Sequence, residues 1–206
     1  MTTRWSYVLA LPATAALLVS LGAAPRQRCD EPRYRWSMKT DTSLASRPAT
    51  ATTIANILTG WTPPPLGPAD RCAARTGREL TLYVVPGWIR RSERRKADGD
   101  WHLELTAGAT SPPESCIVAE IPLGALGVAY RRARGQLNEL LAGRHVDRNG
   151  DLDSPLEVRI SGAAFYDGQH QRTTRQHVQS AEGHGRCNTS VRALWELHPV
   201  YDVRRP

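Results

Sequence analysis

What this sequence lacks excludes several familiar chemistries at the outset. It contains no glycine-rich phosphate loop, no nucleophile elbow, no HExxH pair and no dinucleotide fingerprint, and its serines near histidines form no recognisable nucleophilic arrangement. The expectation of an enzyme falls accordingly. No repeat or heptad pattern appears. Cysteine is sparse, and no two of Cys29, Cys72, Cys116 and Cys187 lie at the short spacing of a structural zinc site. Lysine is nearly missing: of 27 basic residues only Lys39 and Lys96 are lysine. Arginine in such excess, beside abundant Ala, Gly and Pro, fits GC-rich coding better than a functional demand. The formal charge of +7 therefore speaks to solubility and non-specific attraction for anions before it speaks to a partner.

The chain has 206 residues, enough for one core. It opens with Arg4, an apolar run from Trp5 to Leu21, and the small residues Gly22, Ala23 and Ala24, the layout of a secretory signal over 1–24. The alternative is an uncleaved membrane anchor over residues 5–24, since the run approaches the roughly 20 residues a spanning helix needs. Export to a secreted or periplasmic location would oxidise an even set of thiols. Four cysteines allow three pairings; Cys29 with Cys72 and Cys116 with Cys187 is preferred, because it ties the N-terminal segment to itself and the core to itself.

Residues 25–76 are rich in Pro, Thr, Ser and Arg and read as an extended lead-in, with two helical turns in "TTIANILTG" and a boundary at "WTPPPLGP". From Gly77 the pattern turns to β. "RELTLYVVPGWIR" predicts a strand over 78–91, bent at Pro86 and Gly87. Asp98-Gly99-Asp100 predicts a hairpin turn, and "WHLELTA" and "SCIVAEIP" predict two more strands. Leu126 to Leu141 carries an amphipathic helical pattern closed by Gly143. "LEVRISGAAFYD", with a bulge expected at Gly162, and "VRALWELHPVYDV" complete five strands. Three strands, a helix and two strands is the element order of the OB-fold, so residues 77–206 are expected to form a mainly β, five-stranded, OB-like Greek-key barrel with one helix between strands three and four.

The segments "KTDT", "DGDWHLEL", "IVAEIP", "SGAAFYDGQH" and "ELHPV", in this order across Trp36 to Val203, resemble a group of exported bacterial proteins of unassigned function. That group shares a D-x-H start to the second strand, an E-I-P third strand, a G-x-x-F-[FY]-D-x-x-H segment and a terminal E-[IL]-H-P-V. Here the loop before the last strand, "QHQRTTRQHVQSAEGHGRCNTS", departs from the group's glycine-rich one. The resemblance implies no activity.

Within these segments His102 shares a strand face with Glu104, Glu196 shares one with His198, and Asp167 and His170 cap the fourth strand. The order of strands in an OB barrel lets His102, Asp167, His170, Glu196 and His198 converge as a polar or metal site, with a divalent, zinc-like ion as the candidate cofactor. Hydrogen-bonded turns and strand ends explain the same residues without a ligand, and that is the commoner situation. "DRNGDLDSPLE" lacks the glycine and glutamate of a calcium loop and reads as a polar turn. Arg90, Arg91, Arg94, Arg95 and Lys96 form a basic stretch between the first two strands, a candidate anion-binding rim or a plain solvated surface. Three functions follow as expectations: a secreted OB-like binding module for an anionic polymer or carbohydrate, a metal-dependent, nuclease-like hydrolase, or a structural envelope protein. Membrane contact is expected only through an uncleaved N-terminal segment.

Overall fold

The computed structural model describes Met1 and residues 29–94, 97–173, 178–180 and 184–206. Apart from Met1, the expected signal segment lies outside the described residues, as do Arg95 and Lys96 of the basic stretch. The described chain is mainly β, with few helices. In order it forms α1 (Trp36–Lys39), β1 (Thr50–Ala51), α2 (Ile54–Gly60), β2 (Leu82–Arg94), β3 (Trp101–Thr106), β4 (Cys116–Ile121), α3 (Val128–Leu141), β5 (Asp151–Tyr166), β6 (Gln171–Thr173), β7 (Val178–Ser180) and β8 (Trp195–Arg204).

Six strands form one mixed sheet in the order β1-β2-β3-β4-β8-β5, and β2 pairs with β5 as well. β1 runs parallel to β2 and β4 parallel to β8; the other pairs are antiparallel. The expected helix lies between the third and fourth long strands, two residues shorter at its start than its apolar pattern suggested.

The strands differ from the five expected in three places. β3 pairs with β2 only over Trp88 to Arg94, so the earlier edge at Tyr83 and Val84 is free to take the two-residue β1 from the lead-in. β6 and β7 make a separate two-stranded sheet. The irregularity expected at Pro86 and Gly87 falls instead between Ile89 and Arg91. Gly87 has a different use: an added Cβ would lie 2.7 Å from Ile54 Cδ1, so its bare backbone lets α2 approach β2. The bulge expected at Gly162 is present, with register shifts on both sides where β5 meets β8. Gly99, at φ 75°, turns the β2–β3 hairpin as its Asp-Gly-Asp setting indicates.

The lead-in is part of the same core. Thr53 caps α2 by accepting a hydrogen bond from Asn56 N, and Ile54, Ile57 and Trp61 are buried with Val85, Ile89, Leu103, Ile160 and Leu197. Trp61 packs at 4.8 Å from Tyr83 and 5.2 Å from Trp195, ring centre to ring centre. Arg35 is fully buried, donates to both oxygens of Glu79 at 2.8 and 2.7 Å, and also donates to the carbonyls of Ala73, Ala74 and Tyr166. A buried guanidinium this well satisfied fixes the path of the chain around the sheet, because leaving either charge unpaired inside the protein is expensive.

Both disulfides take the preferred pairing, Cys29 with Cys72 and Cys116 with Cys187. Two disulfides suit an oxidising, extracytoplasmic environment. Among the described residues no helix is long and apolar enough to cross a membrane.

Candidate functional site

Alternation along β8 predicts Trp195 and Leu197 inward and Glu196 and His198 toward solvent. The inward half is observed. The outward half is not, for all nine positions Trp195–Val203 are buried. Two coverings account for this: the lead-in, whose Arg75 donates to the His198 carbonyl at 2.8 Å, and the 184–190 loop, which the Cys116–Cys187 disulfide ties to β4. Polar groups of a solvent-facing strand surface are thereby enclosed, and each then needs a partner.

Most of these groups partner one another, while His102 Nε2, His198 Nε2 and Asp100 Oδ1 are buried without a hydrogen bond. His102 on β3 stands directly across from Glu120 on β4, and its Nδ1 lies 2.8 Å from Glu120 Oε1. The second oxygen of Glu120 is 3.1 Å from His198 Nδ1. That nitrogen is also 3.3 Å from Glu196 Oε2, while His198 Nε2 faces Asp100 Oδ2 at 3.6 Å, an ion-pair distance without a hydrogen bond. The other oxygen of Glu196 is 2.8 Å from Nε2 of His184, whose Nδ1 is 2.9 Å from the Cys187 carbonyl. Lys39, from α1, donates to Asp167 at 2.8 Å.

The protonation states follow from these contacts. His184 has an acceptor at each ring nitrogen, so both nitrogens carry hydrogen and the ring is an imidazolium. Burial pushes its pKa down, but the Glu196 carboxylate pushes it up further, and the net shift is upward. Burial likewise opposes the charged form of His198, yet the carboxylates of Asp100, Glu120 and Glu196 around its ring raise its pKa to about 10. Burial favours the neutral acids, but the Lys39 charge with His184 and His198 holds Glu196 far below its ordinary range, and His102 with His198 does the same for Glu120. Burial would also discharge Lys39; Asp167, Glu196 and Glu120 keep it an ammonium. Asp100 is the exception, since burial raises its pKa more than His198 lowers it.

Above this network opens a cavity of about 500 Å³, walled on one side by the lead-in residues Tyr34, Trp36 and Lys39 and on the other by the strands. Of the five residues singled out from the sequence, His102, Asp167, His170 and Glu196 line it, and His198 lies beneath. His170 stays at the wall: its Nε2 is 3.8 Å from Asp167 Oδ2, and its ring centre is 5.5 Å from that of His184. Lys39, Asp100, Glu120 and His184 were not singled out. Each carried a signal: Lys39 is one of two lysines, Glu120 interrupts an apolar strand, Asp100 closes the hairpin turn, and His184 lies three residues before a disulfide cysteine.

Asp100, Glu120 and His198 each place a ligand-type atom within 4.8 Å of the others, close enough to hold a metal ion. Only His198 of this trio belonged to the expected ligand set. A second grouping of Glu104 with Cys116 and Cys187 offers no thiolate, because the two sulfurs are bonded to each other.

Of the described arginines of the basic stretch, Arg90 and Arg91 are tied to internal acceptors, and Arg94 is exposed. Arg90 donates to the carbonyls of Ala109 and Ser111, Arg91 to Asn149, Glu93 and Glu104, and Arg94 lies 5.4 Å over the Trp101 ring. In the "DRNGD" turn Asp147 Oδ1 accepts from the backbone nitrogens of Asn149 and Asp151, as a turn cap does.

Compared with protein-family models, curated proteins and solved structures, the chain finds no match.

Proposed function

We propose that this protein is an exported, OB-like binding module, and that a carbohydrate occupies the cavity between the lead-in and the sheet. The barrel reading is supported by the pairing order, in which β2, β3, β4, β8 and β5 join in sequence and β5 returns to β2. Export is supported by the two disulfides and by the signal-like start.

The observation that carries the ligand reading is the wall of the cavity. Its volume lies in the range of small-ligand sites. Its ammonium and guanidinium groups, Lys39, Arg33 and Arg71, stand against four carboxylates, Asp98, Glu120, Asp167 and Glu196, with the His184 imidazolium making up the difference. Such a wall has little net charge and many donors and acceptors, and Trp36 adds an aromatic surface. Hydroxyl groups of a neutral sugar satisfy both kinds of partner. A polyanion would meet four carboxylates, and this sets the anionic polymer behind the carbohydrate.

A glycan array of neutral and acidic oligosaccharides, probed with the wild-type protein and with Lys39→Met and Trp36→Ala, tests this. Binding to neutral glycans, weakened at least tenfold by either substitution, is expected. Binding that ignores both substitutions, or no binding at all, sinks it.

The trio Asp100, Glu120 and His198 favours a second reading, a metal-dependent hydrolase with a zinc-like ion. Both nitrogens of His198 face carboxylates, so a metal would have to displace the proton that the ring holds. Metal analysis of protein purified with zinc at pH 8 decides it: one equivalent retained by wild type and by His145→Ala but lost in His198→Ala supports this reading, and absence of metal removes it.

A further inference from the structure

Away from the cavity, the turn that leads into α3 carries an unusual concentration of exposed aliphatic surface. Among the described residues only five large apolar side chains are exposed, and three of them, Leu123 at 40%, Leu126 at 42% and Val128 at 72%, fall in this one turn. Isolated apolar side chains at a surface need no explanation, whereas a cluster does.

The surroundings of this cluster are basic. Residues 122–138 contain three arginines and no acidic residue. Arg131 folds back along the turn: it donates to the Gly124 carbonyl at 3.0 Å, and its Cγ would be 2.9 Å from a Cβ on Gly124. Arg132 is exposed one helical turn beyond Val128. Arg134 donates to the carbonyls of Gly99, Ile121 and Pro122 and so fastens the base of the turn to the β2–β3 hairpin, where Leu123 packs on Gly99. Arg94, exposed at the end of β2, pairs with Trp101 of β3, which in turn pairs with Ile121 just before the turn.

We infer that the turn Leu123–Val128, with Arg94, Arg131 and Arg132 around it, is a docking surface for an anionic lipid bilayer. The aliphatic tips enter the boundary between headgroups and acyl chains, and the guanidinium groups meet headgroup phosphates. Apolar burial and electrostatic attraction are each weak alone and combine at a membrane surface. A soluble polyanion would satisfy the arginines but offers no apolar interior for Leu126 and Val128, and this favours the bilayer. The inference rests on neither the cavity nor its ligand.

Amide hydrogen exchange of the full chain, alone and with vesicles of phosphatidylglycerol and phosphatidylcholine, tests it while localising the contact. Protection over residues 122–132 with the mixed vesicles, weaker with pure phosphatidylcholine, is expected. In Leu126→Asp/Val128→Asp that protection should vanish, with vesicle affinity reduced at least tenfold at low salt. Vesicle binding through some other segment, leaving 122–132 unprotected, overturns the inference, and so does an absence of binding. A third arm uses heparin: protection of the turn by heparin that survives the double aspartate variant, without vesicle protection, would assign the surface to a polyanion instead.

Discussion

His184 donates through Nε2 to Glu196 at 2.8 Å and through Nδ1 to the Cys187 carbonyl at 2.9 Å, so a loop histidine and a strand glutamate form a buried ion pair held by the neighbouring disulfide. The charges of the site therefore depend on a loop that the sequence pattern leaves unstructured.

That dependence makes the Cys116–Cys187 bond the first thing to test. It closes a separation of 71 residues and anchors the segment that carries His184 and Arg186. Replacing both cysteines with alanine should cost about 2 to 5 kcal/mol in urea unfolding. The far-ultraviolet spectrum should keep its β character, because the main core does not include the bridge. Any glycan bound by the wild type should be lost. Binding that survives would mean the disulfide does not position the site.

The histidines impose a pH dependence whose sign is fixed. His198 has a folded pKa raised from 6.5 to about 10, so its stabilisation is complete below pH about 6.5 and is lost as pH rises toward 10. His184 acts in the same sense. Glu120 and Glu196 have depressed values, so their stabilisation is present above about pH 4.5 and is lost as pH falls through the folded values. Asp100, with its raised value, acts against them on the acid side. Urea midpoints measured from pH 4 to 10 should therefore fall between pH 7 and 10, and His198→Gln should flatten that alkaline decline.

Arg35 and Glu79 hold the lead-in to the sheet as a fully buried pair. Glu79→Gln strands the guanidinium charge and should destabilise the protein by about 3 to 5 kcal/mol. Limited proteolysis should then cut residues 29–76 first. An unchanged midpoint would show that the remaining carbonyl acceptors of Arg35 suffice.

Gly185 sits at φ 65° beside the buried Glu104, and a Cβ there would collide with Glu104 Oε1. Gly185→Ala should cost about 1 to 3 kcal/mol in left-handed strain and displaced contacts. It should also loosen Arg186, which reaches Glu104 at 2.7 Å. Chemical denaturation compared with Gly143→Ala, another left-handed glycine but with open space around it, separates collision from strain.

Much of the fold was legible because strand alternation, turn residues and amphipathic spacing are local signals. The Asp-Gly-Asp hairpin, the bulge at Gly162, the helix ending at Leu141 and both cysteine pairings could be read this way or from simple proximity arguments. The candidate site was only half legible. His102, Glu196 and His198 stand out as polar groups in strands, but alternation marks them as solvent-facing, which they are not.

By itself, then, the sequence determined which residues share a face along β3 and β8, since a side chain's face follows from a period of two along its own strand. Only the tertiary structure decided what covers those faces. A lead-in from residues 29–76 and a loop pinned by a disulfide 71 residues away close over one polar face, and burial converts ordinary surface groups into a paired set of carboxylates, imidazoliums and one ammonium. No local pattern encodes that step, because the cost of burying a charge depends on partners brought in from distant parts of the chain.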